Sequence, residues 1–245
     1  MRRIFFFSGR SRLSGPRVMS HADPFGHSGF QGVLSSGLAG YSGVMWAREA
    51  QDFKAASCTA QTLERVWLPS DTLGGAVATF QGVFTSFYYT SPAEAERCDN
   101  EYGPTPATCN ASWAANDAAA LSVDLDAYYS PSLATHEVLV LMGDDFTFEN
   151  GGAYFEYVDA LIAALNADPS GRYVAFYSTP SDYVAARLAE LPSNPLPPLF
   201  GDMMPYNDDA IGHNVWSGYF TSRPSFKAAV RDASAWMQVR FDEFV

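Results

Sequence analysis

The 245-residue sequence predicts an α/β fold assembled from parallel βαβ units. Three observations predict it. Residues 136–142, His-Glu-Val-Leu-Val-Leu-Met, form an apolar run suited to a strand buried on both faces. Asn150 offers a helix cap, and Tyr154, Val158, Leu161, Ile162 and Leu165 follow at helical spacing until Asp168-Pro169-Ser170-Gly171 breaks the pattern. Residues 173–177 then read as a second buried strand, and Ser181 can cap a helix over 182–190.

The N-terminal half is less regular. Residues 1–15 open with two arginines and a short apolar run, then turn rich in Ser, Arg and Gly. They read as a poorly structured leader or a truncated start, because a signal peptide needs an apolar region of about 7–15 residues. Residues 16–25 read as a strand that ends at Asp23-Pro24, since proline cannot donate to a ladder. Residues 29–40 are Gly/Ser-rich and compatible with a helix, and residues 44–47 read as a short strand ending at Arg48. Residues 70–118 show no helical period and read as one long connection, a class of segment that is usually functional. There is no internal repeat.

Composition removes several function classes. With 15 Lys+Arg against 27 Asp+Glu the formal charge is −12, which disfavours grip on nucleic acid and docking on anionic lipid. Hydrophobic residues at 47% against 17% charged residues argue against disorder of the whole chain. No apolar run approaches the roughly 20 residues of a membrane-spanning helix. Aromatics reach 15%, a content that serves either a core or a sugar-binding surface. The sequence carries no phosphate-binding glycine loop, no Cys-x-x-Cys and no Gly-x-Ser-x-Gly.

Cys98 and Cys109 bracket a loop rich in Pro, Gly, Asn and Asp. They are either free thiols or a disulfide, which at that loop length contributes roughly 3 kcal/mol. The sequon Asn110-Ala111-Ser112 follows at once, and together the two signals favour a lumenal or extracellular setting. Cys58 reads as a buried thiol or one whose partner lies outside the chain.

Active sites of parallel α/β folds sit at the carboxyl ends of strands. Two such ends carry acids here, Asp23 and the pair Asp144-Asp145. Two carboxyl groups facing one sugar are the machinery of glycoside hydrolysis, one ionised and one held protonated. The same aspartates also suit helix and turn caps. His21 and Asp23, at i and i+2 on a strand, share a face and resemble half a zinc site, with His27 four residues further on; a hydrogen-bonded structural histidine is the commoner use. His136, at a strand start, reads as structural, and His213, in a loop near Trp216, suits either role.

Four segments taken together resemble one family. Residues 20–28, Ser-His-Ala-Asp-Pro-Phe-Gly-His-Ser, are similar to the Asp-Pro-Phe-Gly-His-Ser motif of glycoside hydrolase family 38, the α-mannosidases of lysosome and Golgi. Met142-Gly143-Asp144-Asp145-Phe146 resembles its Gly-[Ser/Asp]-Asp-Phe motif, Tyr177-Ser178-Thr179-Pro180 a strand end, and residues 216–224, Trp-Ser-Gly-Tyr-Phe-Thr-Ser-Arg-Pro, a further motif, all in the family's order. The lysosomal type is the closer. The resemblance implies an incomplete (β/α)7-type barrel, with residues 16–245 as part of the N-terminal catalytic domain. It implies a retaining, zinc-dependent hydrolase of terminal α-linked mannose in N-glycans and oligosaccharides, in a lysosome, vacuole or other secretory lumen. Asp23 matches the nucleophile and a zinc ligand, Asp145 the acid/base, Asp144 its neighbour, and Arg48 an arginine that contacts the nucleophile. Phe25 matches a ring packed against the sugar, Tyr89 a substrate-contacting tyrosine, and the Cys98–Cys109 loop a short disulfide loop. The family's other zinc ligands, a His-x-Asp pair on an earlier strand and a later histidine, have no match here. The expectation is therefore a middle piece of the catalytic domain with an incomplete zinc site, the alternative being an inactive fragment.

Overall fold

The computed structural model describes residues 1–7, 17–84, 114–126, 134–143, 151–208 and 214–242. The expected leader is corrected at its start: Arg2–Phe7 is strand β1, the centre of a three-stranded sheet. β1 pairs in parallel with β6 (Glu137–Leu141) on one side and β7 (Tyr173–Ser178) on the other. Ile4 and Phe6 alternate with Phe5, so the strand feeds two cores at once. Ile4, Phe6, Val138 and Val140 pack under helices α3 (Ala114–Asp124) and α4 (Gly151–Asn166). Phe5 and Leu139 point the other way.

The second sheet has five strands in the order β2-β3-β5-β4-β8. These are Val18–His21, Gly43–Trp46, Thr79–Val83, Glu64–Leu68 and Pro198–Phe200 respectively. Val18, Met45, Ala47 and Phe80 from this sheet meet Phe5, Leu139 and the helix residues Tyr183 and Val184 in one shared core. On its other face Val44, Trp46, Leu63, Trp67, Val83 and Leu199 form a third cluster. The expected α/β class with parallel strands and flanking helices therefore holds. The parallel rule breaks at β4, which runs antiparallel to β5. Only the single turn Gly74–Val77 lies in the link between them, too little for the helical crossover a parallel pair needs.

Local chemistry shifted several boundaries. The 29–40 helix is a short α-turn, Gly29–Gly32 (α1), capped by Ser28 and continued as a π-turn, Val33–Leu38. A side chain at Gly32 would strike the Trp67 ring, so glycine lets α1 lie against β4. The helix expected from a Ser181 cap is α5 (Pro180–Ala189), and its cap is Thr179, whose hydroxyl accepts from the Asp182 amide at 3.1 Å. Pro180 sets the start because it fits the first helical position. The supposed 70–118 connection holds β5 and the start of α3. Helix α2 (Gln51–Ala60) and β4 were not anticipated at all.

What conceals β4 is buried charge. In β4, Glu64 and Arg65 are 5% and 3% exposed. The Arg187 Nε donates to Glu64 Oε2 at 2.5 Å, and the Tyr183 hydroxyl donates to Oε1 at 2.6 Å. Arg65 donates to Glu49 at 2.8 Å and to Gln81 of β5 at 3.3 Å. Paired charges of this kind are tolerated in an interior, but losing one partner strands the other. We expect Arg187→Met to cost about 3–5 kcal/mol in urea denaturation, and the double variant with Glu64→Gln to recover a large part of it. A loss in the double variant equal to the sum of the losses in Arg187→Met and Glu64→Gln taken singly would show that the pair is not coupled.

Candidate functional site

The site starts from strand register. His21 of β2 pairs with Trp46 of β3 in a parallel ladder. Two residues on from each, Asp23 and Arg48 therefore emerge side by side at the carboxyl ends of the two strands. The Arg48 Nε donates to Asp23 Oδ1, and its Nη1 donates to the Tyr206 hydroxyl at 3.2 Å. The guanidinium carbon also lies 5.1 Å from the Phe25 ring centre, 5.6 Å from Tyr206 and 5.5 Å from Trp216. Burial opposes the Arg48 charge, but Asp23 and Tyr206 outweigh it and hold its pKa above the ordinary arginine value. The Asp23 side chain is 35% exposed and Arg48 only 11%, so the carboxylate is the part that meets solvent.

Phe25 anchors an aromatic group. Its ring stacks with Tyr219 at 4.3 Å and with Trp216 at 4.9 Å. Tyr219 lies in helix α6 (Gly218–Thr221) and Trp216 two residues before it; helix α7 (Pro224–Asp242) follows. The four rings with Arg48 make an apolar wall with a cation behind it, next to an accessible carboxylate.

His27 lies behind this wall at 2% exposure. Its Nε2 is 2.8 Å from the Arg48 carbonyl oxygen, its ring stacks on Trp46 at 4.0 Å, and its Nδ1 is 3.3 Å from His21 Nδ1. Burial pushes the His27 pKa down to about 3 and also lowers that of His21. The other His21 nitrogen faces Met19 Sδ at 2.8 Å.

The sequence-derived site residues divide accordingly. Asp23, Phe25 and Arg48 are brought together. Tyr89, Asp144, Asp145, Cys98, Cys109, Asn110 and His213 lie outside the described residues. Strand β6, which leads towards Asp144, ends at Leu141. Cys58 lies in α2 as a free, half-buried thiol. The zinc half-site read from His21 and Asp23 is not assembled, since the His21 nitrogens face His27 and Met19 and the Asp23 carboxylate faces Arg48. Among the described residues no three His, Cys, Asp or Glu side chains converge to hold a metal ion. Sequence reasoning assigned no role to Tyr206, Trp216 or Tyr219. The dense aromatic motif at 216–224 was a signal for the last two, whereas nothing marked Tyr206.

An acid beside stacked rings at the ends of parallel strands lies where open α/β sheets place their ligand sites. The chain matches the glycosyl hydrolases family 38 N-terminal domain over residues 6–209, and it belongs to that family. It is 34% identical over 226 residues to an α-mannosidase of Arabidopsis thaliana, covering 90% of this chain and 21% of that protein. It is 32% identical over 244 residues to the lysosomal α-mannosidase of Cavia porcellus, covering 91% of this chain and 22% of that protein. An α-mannosidase of Canavalia ensiformis is 31% identical over 211 residues, covering 85% of this chain and 21% of that protein. The chain thus spans about a fifth of the length of the curated relatives it matches.

The depressed His27 value has a consequence for stability. From its ordinary value of 6.5 down to about 3, the unfolded chain binds a proton on this ring and the folded chain does not. Stability therefore falls as pH drops through that window. His27→Gln, which cannot titrate, is expected to flatten that part of the stability-against-pH curve in urea denaturation. An unchanged slope would mean that His27 is protonated in the folded state.

Proposed function

We propose that this chain carries part of the active site of a retaining α-mannosidase, acting on terminal α-linked mannose of N-glycans and related oligosaccharides. The observation that carries the reading is the Asp23–Arg48 clamp beside the Phe25 ring stack at the ends of β2 and β3. In this proposal Asp23 attacks the anomeric carbon and forms a glycosyl-enzyme ester. Asp145 gives its proton to the departing glycosidic oxygen, then takes one from the water that cleaves the ester. Microscopic reversibility requires one group to serve both steps. Arg48 orients the attacking carboxylate, and its bond to Oδ1 leaves the second oxygen of Asp23 as the attacking atom. Phe25 supplies an apolar face to the sugar ring, with Tyr89 and Asp144 as further substrate contacts.

Zinc belongs to the reading as the metal its family implies, with Asp23 as the proposed ligand from this chain. The described residues do not by themselves fit a zinc ion. A lysosomal or vacuolar lumen suits the reading, supported by relatives that include lysosomal α-mannosidases. In that setting a Cys98–Cys109 disulfide and a glycan on Asn110 are proposed as well.

The test is hydrolysis of an aryl α-mannoside by the full-length protein. Asp23→Asn is expected to lower turnover on the order of 10⁴-fold or more and to abolish the trapped glycosyl-enzyme. Asp145→Asn is expected to slow substrates with poor leaving groups most. Undiminished turnover in Asp23→Asn removes it as nucleophile. Mannoside binding without any hydrolysis by the unaltered protein would favour the inactive, sugar-binding alternative.

A further inference from the structure

We infer that His27 is a positioning residue for the site, holding Arg48 in place through its main chain; this rests on the α-mannosidase reading for its purpose but not for its geometry. A carbonyl oxygen only accepts, so the 2.8 Å contact with the Arg48 carbonyl requires a proton on His27 Nε2. In the neutral ring Nδ1 then carries the lone pair and faces His21 Nδ1 at 3.3 Å. The Arg48 carbonyl thus fixes the tautomer.

Three segments converge on this ring. First, His27 follows Asp23 and Phe25 in the turn after β2, where Gly26 adopts φ +102° and lets the chain double back. Second, its imidazole stacks on Trp46 of β3 and donates to the Arg48 carbonyl two residues past the end of that strand. Third, its amide donates to the Met203 oxygen at 2.9 Å and its carbonyl accepts from the Met203 amide at 2.8 Å. Met203 lies three residues before Tyr206, whose hydroxyl accepts from Arg48. Asp23, Phe25 and Tyr206, three of the four residues around the guanidinium, therefore lie within a few residues of His27 or of Met203, its main-chain partner. His27 itself makes no contact with the carboxylate. Its role is to hold the Arg48 main chain, so that the side chain has one direction in which to reach Asp23.

The full-length protein can be tested with phenylglyoxal, a small reagent for arginine, with modification at Arg48 read by peptide mass spectrometry. Arg48 is shielded in the native arrangement and should react slowly. His27→Phe keeps a ring against Trp46 but has no donor, and it should raise the Arg48 rate about tenfold, the equivalent of one lost hydrogen bond. His27→Gln places an amide N–H near the Nε2 position and should restore the slow rate. If the Phe variant fails to fold, His27→Asn replaces it, since its shorter amide cannot reach the Arg48 carbonyl and should behave as a donor loss. An Arg48 rate equal in the Gln variant and in either donor-loss variant overturns the inference. A parallel arm adds methyl α-mannoside to the unaltered protein. Protection of Arg48 by the sugar reports on the α-mannosidase reading alone, so a missing effect there counts against that reading and not against the role of His27.

Discussion

The ion pair between Asp23 and Arg48 is the interaction on which the site depends, and it is a product of register. Neither residue lies in a strand. They meet because β2 and β3 run parallel with His21 opposite Trp46, and each chain continues two residues further. A one-residue slip of either strand would turn its side chains to the opposite face and carry one partner away. That register is secured by packing: Met45 and Val18 enter one core while Val44 and Trp46 enter another. The charge pair is therefore held by apolar burial on both faces of the sheet, some distance from the charges themselves.

The same logic joins the two sheets. β1 contributes Phe5 to the core shared with the five-stranded sheet and Ile4 and Phe6 to the layer under α3 and α4. The contacts of Phe5 with Phe176 at 4.7 Å and with Tyr183 at 5.5 Å tie β7 and α5 to that shared core. Tyr183 then continues into the buried Glu64–Arg187 pair, linking α5 to β4. Apolar and charged contacts thus alternate along one path from the small sheet to the large one. A buried pair of this type gives little net stability, but it admits few alternative arrangements, because any misplacement strands a charge.

How much of this was legible in the sequence follows from what each element buries. β6 and α4 were legible because their burial is apolar and periodic: Val138 and Val140 alternate with Leu139, and Tyr154, Val158, Leu161 and Leu165 keep helical spacing. β4 and β5 were not legible, because Glu64, Arg65 and Gln81 occupy interior positions and are satisfied only by residues distant in sequence. β1 looked like a leader because six residues carry too little pattern to separate a strand from a truncated signal. In the site, the motifs marked Asp23, Phe25 and Arg48, but no spacing rule foretold that Tyr206 would reach Arg48 from 158 residues away. The half-site reading of His21 failed for a related reason. Strand β2 ends at His21, so Asp23 shares no strand face with it, and the two side chains turn their polar atoms to different partners.

The choice of arginine at position 48 follows from the number of directions it must serve. Its planar head donates to Asp23 along one edge and to Tyr206 along another, while it lies within 5.6 Å of three aromatic ring centres. Lysine offers a point charge with three donors and no flat face, so it could hold the carboxylate but not line the ring wall at the same time. Arginine also keeps its charge when solvent is largely excluded, which an ammonium at 11% exposure would do less readily. The result is a polar arrangement with a direction: a fixed cation inside, a partly open carboxylate outside, and aromatic faces to one side. A ligand that enters therefore meets the carboxylate and the rings before it meets the cation. That order suits a neutral sugar, for which an exposed arginine would offer only hydrogen bonds that water already supplies, whereas a desolvated one fixes the geometry of the oxygen beside it.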